Sequence, residues 1–174
     1  LCFGALFTFI SSSSVLIIDY AGYGYIVYCL LFGFNLVGII ISSYTIKKRI
    51  STTNQGIFIG VGYSIAITSL VLTILISHIY FNIFLFVIIN AIATASFSMI
   101  SSILNSKSLS QLNVGFGSGN AINNLIKFSL GSLASFLISI HVGADLAIKI
   151  PEQQLMMVVI SLMLFLFVDS RLKK

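Results

Sequence analysis

The chain has 174 residues, of which 58% are hydrophobic and only 7% charged, with a mean hydropathy of +1.12. A soluble domain carries about 25% charged residues, so that class is excluded, and the length suits one compact bundle rather than several domains. The net charge of +5 sits in short clusters at the ends of apolar runs, which excludes nucleic acid as a partner and points to the lipid bilayer.

Six apolar stretches predict six spans in a single transmembrane domain. Each must be a helix, because backbone polar groups in lipid are satisfied only within the segment. The first covers about residues 1–18 and ends at Asp19-Tyr-Ala-Gly-Tyr-Gly. It opens at Leu1, already apolar and without a basic leader, so the sequence is expected to start partway into a longer protein. The second covers about 25–46, long enough at about 1.5 Å per residue to cross a core of about 30 Å. Lys47-Lys48-Arg49 stops it and Ser51 to Gln55 form a polar loop. The third and fourth cover about 56–77 and 83–104, joined by His78 to Asn82. Asn105 to Ser118 are expected as a loop carrying Lys107, and the fifth span follows over about 119–141. Val142 to Gln154, with the only proline, Pro151, are expected as a polar loop before a short sixth span at about 155–168. No internal repeat is legible. Cys2 and Cys29 fall within spans and read as small apolar residues.

With six spans both ends lie on one side. Lys47, Lys48, Arg49, Lys107, Arg171, Lys173 and Lys174 gather there against Lys149 alone on the other. By the positive-inside rule both ends of the chain are expected in the cytoplasm.

Polar residues inside the spans mark the candidate site. A glycine-rich turn, Gly115-Phe-Gly-Ser-Gly, leads into the fifth span, which carries Asn120, Asn123, Asn124 and Lys127, then Gly131, Ser135 and Ser139. Lys127 is the one basic residue set well inside an apolar segment. A charge there must face protein or a water-filled cavity, unless it snorkels to the interface. On the fourth span Asn90, Thr94, Ser98 and Ser102 form one stripe. Tyr28, Asn35 and Ser42 share a face of the second span; Thr8, Ser12 and Asp19 of the first; Ser64 and Thr68 of the third. Such stripes serve either as cavity walls or as hydrogen-bonded helix contacts. Gly56 and Gly60 make a GxxxG packing notch. Asp19, His78 and His141 read as boundary residues.

Catalytic chemistry has no foothold in the sequence. There is no HExxH or GxSxG motif, no Cys/His set at metal-ligand spacing, and no dinucleotide fingerprint in a βαβ context. The reading is therefore not an enzyme, with no catalytic residue, metal or cofactor.

Two stretches resemble the Bcr/CflA (bicyclomycin-resistance) drug transporters of the major facilitator superfamily. The first is Phe9-Ile-Ser-Ser-Ser-Ser-Val-Leu, with Gly22-Tyr-Gly and Phe32-Gly-Phe-Asn35-Leu-Val-Gly38 after it. The second is Gly117-Ser-Gly-Asn-Ala-Ile-Asn-Asn-Leu-Ile-Lys-Phe-Ser-Leu-Gly131. The family has proline where Ser14 stands and glutamine where Lys127 stands. The resemblance covers essentially the whole chain. It implies an all-α six-helix bundle, the C-terminal half of a proton-driven carrier of drugs or other small molecules in a bacterial inner membrane. It further implies a partner, the N-terminal six-helix half, and the proton gradient as energy source. Asn35, Asn90, Asn120, Asn123 and Lys127 would then line the substrate cavity. The alternative is a non-transporting fragment or six-helix scaffold whose polar faces only join helices.

Overall fold

The computed structural model describes residues 1–49, 55–110, 116–141 and 145–172. It is all-helical among these residues: α1 Cys2–Ser14, continued by a π-helical segment Val15–Tyr20, α2 Tyr25–Arg49, α3 Gln55–Ile79, α4 Ile83–Ser110, α5 Phe116–Ser139 and α6 Leu146–Leu172. All six are long and apolar enough to cross a membrane, α1 counting its π-helical extension. The chain is therefore an integral membrane protein in architecture.

Local chemistry sets several boundaries. Ser11, Ser12 and Ser13 return their hydroxyls to the carbonyls of Phe7, Thr8 and Ile10. Such back-bonding loosens and bends a helix, and the wider π turn follows at once. The first helix thus changes its winding without a proline. Gly22 then takes φ +71°, a left-handed conformation open to glycine, and the chain reverses into α2. Asn82 caps α4: its Oδ1 accepts the backbone N–H groups of Phe84 and Leu85 at 3.0 and 3.2 Å.

Two segments differ from the sequence reading. The sixth helix starts at Leu146, not at 155, and Pro151 lies inside it. Pro151 is the sixth residue of the helix and withholds one backbone N–H, the one that would meet the Ala147 carbonyl. Apolar Leu146, Ala147 and Ile150 are buried on the face that continues to Gln154 and Val158. The region expected as a polar loop is thus the first two turns of a span. Likewise α4 runs on to Ser110, and Asn105 and Lys107 are helical. Residues 51–54 and 111–115, part of the expected loops, lie outside the described set, as do 142–144.

Contacts fix the helix directions. Asn35 meets Thr94 and Ser43 meets Ser98, so α2 and α4 run parallel. Cys2 meets Ser161 while Gln154 meets Ala5, so α1 and α6 are antiparallel. Phe3 contacts Phe128, and Phe7 lies against Gly131, so α1 and α5 run parallel. Asn123 meets Asn105, and Lys127 shares a hollow with Ser101, so α5 opposes α4. Hence α2, α4 and α6 end at one end of the bundle, bringing Lys47, Lys48, Arg49, Lys107 and Arg171 there and leaving Lys149 at the other.

The main packing is symmetric in a way the sequence hides. Helix α1 packs on α4, α5 and α6, while α4 packs on α1, α2 and α3, and α3 packs on α6. Exchanging α1 with α4, α2 with α5 and α3 with α6 maps this pattern onto itself. The exchange holds for these larger contacts, while the smaller ones of α5 with α4 and α6 have no counterpart of like size. The core holds Tyr63, Leu70, Phe97, Ile100 and Val158 in one cluster and Phe9, Leu16, Phe86, Ile138 and Ile150 in another. Helices α2 and α5 flank it and stay largely exposed, as at Leu30, Ile40, Leu125 and Phe136.

Candidate functional site

Helix α4 carries the polar stripe, and its two halves have different surroundings. In the half nearer Ile83, Asn90 and Thr94 are fully enclosed. Asn90 Nδ2 donates to Gln154 Oε1 at 2.8 Å, and Gln154 Nε2 donates to the Ala5 carbonyl at 3.0 Å. A carbonyl can only accept, so Ala5 fixes which way the Gln154 amide points, and Gln154 in turn fixes Asn90. Thr94 Oγ1 donates to Asn35 Oδ1 at 2.6 Å. This network joins α1, α2, α4 and α6 across the middle of the bundle. Two of its atoms, Asn35 Nδ2 and Asn90 Oδ1, are buried without a partner.

In the half nearer Ser110 the stripe opens. A hollow of ≈ 320 Å³ lies between α1, α2, α4 and α5, with Leu6, Leu36, Ser98, Ser102, Asn105 and Lys127 among its walls. A second hollow of ≈ 280 Å³ shares Phe3, Ser101, Asn105 and Lys127 with it and reaches Asn123 and Ser161. Lys127 therefore stands at the junction of the two. The side chain is held there by the seating of α5. Phe128 presents its edge to Phe3 and Phe7, at centroid distances of 5.5 and 6.1 Å. One turn on, Gly131 lets α5 approach α1 so closely that an added Cβ would lie 3.0 Å from the Phe7 ring. With Phe128 turned to α1, its neighbour Lys127 faces the hollow and α4.

The lysine is too deep to reach the helix end. It follows Phe116 by eleven residues, about 16 Å along the axis, which exceeds the reach of its side chain. No carboxylate compensates it among the described side chains, since Asp19, Asp145 and Glu152 all belong to the opposite end of the bundle. Asp169 has a position on α6 eight residues beyond Ser161, about 12 Å further toward the end of the bundle. Glu152 is itself paired with Lys149 at 2.7 Å, far from this site.

The residues singled out from sequence thus divide into three groups. Asn123 and Lys127 meet at the hollows, where Asn123 Nδ2 donates to Asn105 Oδ1. Asn35 and Asn90 come together in the enclosed network one and two turns away along α4, not on a hollow wall. Asn120 is exposed near the start of α5. Ser64 and Thr68 face outward and bond to their own helix at Gly60 and Ser64, so they form no cavity wall. Gly60 has nothing within 4 Å; the close approach occurs at Gly62, against Met99 and Ile100. Thr8 and Ser12 are buried and bonded within α1.

Sequence reasoning missed Gln154, which is 0% exposed, because Pro151 suggested a loop. It also missed Asn105, assigned to a loop, and the cluster of Tyr63, Ser161 and Cys2, in which Tyr63 Oη and Ser161 Oγ lie 2.8 Å apart. The i, i+4 series Leu146, Ile150, Gln154, Val158 was the signal that could have revealed the first. A larger groove of ≈ 490 Å³ between α2, α3 and α4 is a poorer site. Its Ser42 and Ser96 hydroxyls are spent on the carbonyls of Ile39 and Ile92, leaving an apolar surface.

No protein-family model, curated protein or solved structure matches the chain. The class defined on these grounds is an all-helical membrane protein with six helices able to span the bilayer.

Proposed function

We propose that the chain is one half of a secondary transporter that exports drugs or other small molecules, with the proton gradient as energy source. The observation that carries the reading is the pairing of two features. The larger helix contacts keep their pattern when the first three helices are exchanged with the last three, and one face, formed by α1, α2, α4 and α5, holds the polar hollow with Lys127. Inverted three-helix repeats around a central site are a recurring transporter plan, and each six-helix half rocks against another. The sequence likeness to the Bcr/CflA group agrees with this plan. A second six-helix half would cover the hollow face and complete the site, and the proton-carrying carboxylate would come from it. The basic end of the bundle lies in the cytoplasm by the positive-inside rule.

The test has two steps. An antibody to the tail from Arg171 to Lys174 should detect a native product about twice the calculated 18.9 kDa in host membranes. Inside-out vesicles containing that product should then accumulate a drug when a proton gradient is imposed. Accumulation no greater than in vesicles lacking the protein overturns the reading. The alternative, a six-helix scaffold, draws on one specific observation: Asn35 and Asn90 are spent on contacts between helices. It accounts for the enclosed half of the stripe but leaves the unpaired lysine without a purpose.

A further inference from the structure

We infer that the hollow at Lys127 is an anion site, and that its ligand is an amphipathic organic anion with a carboxylate or similar small acidic group on an apolar body. The inference rests on the proposed transport role for its biological meaning, but its physical basis is separate. A lysine this far inside a span is costly unless something answers its charge. The described side chains around it offer no carboxylate. They offer neutral polar groups instead: the hydroxyls of Ser101 and Ser102 and the amide of Asn105.

The Asn105 amide pairs with the Asn123 amide, and in the orientation where its oxygen accepts from Asn123 Nδ2 it can present its own NH₂ beside the lysine. A cation with adjacent N–H and O–H donors matches a carboxylate, which only accepts. The opposite wall is apolar, built by Leu6, Ile10, Leu36 and Ile39. It would take the hydrocarbon part of the ligand. A volume of ≈ 320 Å³ falls at the small end of ligand pockets, about 300–1,000 Å³, which is room for a bicyclic aromatic acid. A cationic drug is disfavoured, because the lysine would repel it.

The charge could also be answered by a carboxylate of a covering half, which is the rival explanation. Binding of 1-naphthoate and of its neutral isostere 1-naphthamide distinguishes them. Both are measured on the complete gene product in detergent, for the native protein and for Lys127→Gln and Lys127→Arg. Naphthoate should bind at least about tenfold more tightly than the amide, the usual worth of a hydrogen bond to a charged group. Lys127→Gln should abolish that ratio and Lys127→Arg should keep most of it. A ratio near one in the native protein, or one that Lys127→Gln leaves intact, overturns the anion site. A native ratio near one, together with a Lys127→Gln protein that melts well below the native one, assigns the lysine to an internal pair instead. Proteoliposome flux is read alongside. Selective naphthoate binding without any flux leaves the anion site standing and removes the transport reading; gradient-driven drug flux without selective binding does the reverse.

Discussion

The two halves of the α4 stripe show how one helix can use the same residue types for opposite purposes. Asn90 and Thr94 point into protein on every side and are tied to Gln154 and Asn35. Ser102 and Asn105, two to three turns on, border a hollow that also takes in Lys127. What separates them is the neighbouring helix, not the stripe. Around Asn90, α6 closes in beside α1 and supplies Gln154; around Ser102, α5 joins α1 and brings a lysine. Polar residues in lipid do not declare whether they serve packing or a cavity until their partners are known.

The enclosed half should be the more fragile. Gln154→Leu strands the Asn90 amide, whose oxygen already lacks a partner. Leaving a buried amide group unpaired costs about 1–3 kcal/mol, so a clear fall in melting temperature in detergent is expected, the largest of the changes considered. The double variant Asn90→Leu with Gln154→Leu should recover much of it, since removing both partners leaves nothing stranded. A double variant as unstable as the sum of the two singles would mean the pair is not a unit.

Backbone approach gives the next effect. A methyl group at Gly62 would lie 2.8 Å from Met99 Cε and 2.9 Å from Ile100 Cγ1. Met99 Cε is a flexible end, but Ile100 Cγ1 adjoins a branched Cβ with a stiff χ1, so Gly62→Ala should cost about 1–3 kcal/mol, the usual range for overpacking. Gly60→Ala, with open space around it, should leave stability unchanged or raise it by up to about 1 kcal/mol through helix propensity. Equal losses at the two positions would show that α3 sits on α4 in a different rotation.

Solvent access tests the contrast directly. With Cys2 and Cys29 replaced by alanine, a charged maleimide should label Ser102→Cys in native membranes and leave Thr94→Cys unlabelled. Comparable labelling of both would erase the distinction between the halves.

Much of the architecture was legible because lipid narrows the choices. Apolar runs of about 20 residues have to be helices, and five of the six spans stand within a few residues of where hydropathy puts them. The sixth was misread because Pro151 and two glutamines look like a loop, whereas the proline falls early in the helix and Gln154 is paired on both sides. Of the candidate site, the depth of Lys127 could be read from its position alone. That Asn35 and Asn90 would be consumed by Thr94 and Gln154 could not. A hydrogen bond between residues 64 apart in sequence leaves no local pattern. The symmetry of the packing was also invisible, because apolar residues in lipid-facing helices can be exchanged without disturbing which helix touches which.

The smallest effect is expected where a charge is removed. Lys127 has no described carboxylate partner and borders two hollows, so its ammonium contributes nothing to holding the helices together. Lys127→Gln should therefore leave membrane abundance and melting temperature unchanged, or raise stability by up to about 1 kcal/mol as an uncompensated charge is lost from the apolar zone. This is opposite in sign to Gln154→Leu, although both substitutions alter one polar residue inside a span. The seating of α5 does not depend on the ammonium, because Phe128 and Gly131 hold α5 against α1. A Lys127→Gln protein as destabilised as Gln154→Leu would place the lysine among the structural contacts. The open half of the stripe would then be a packing surface like the enclosed one.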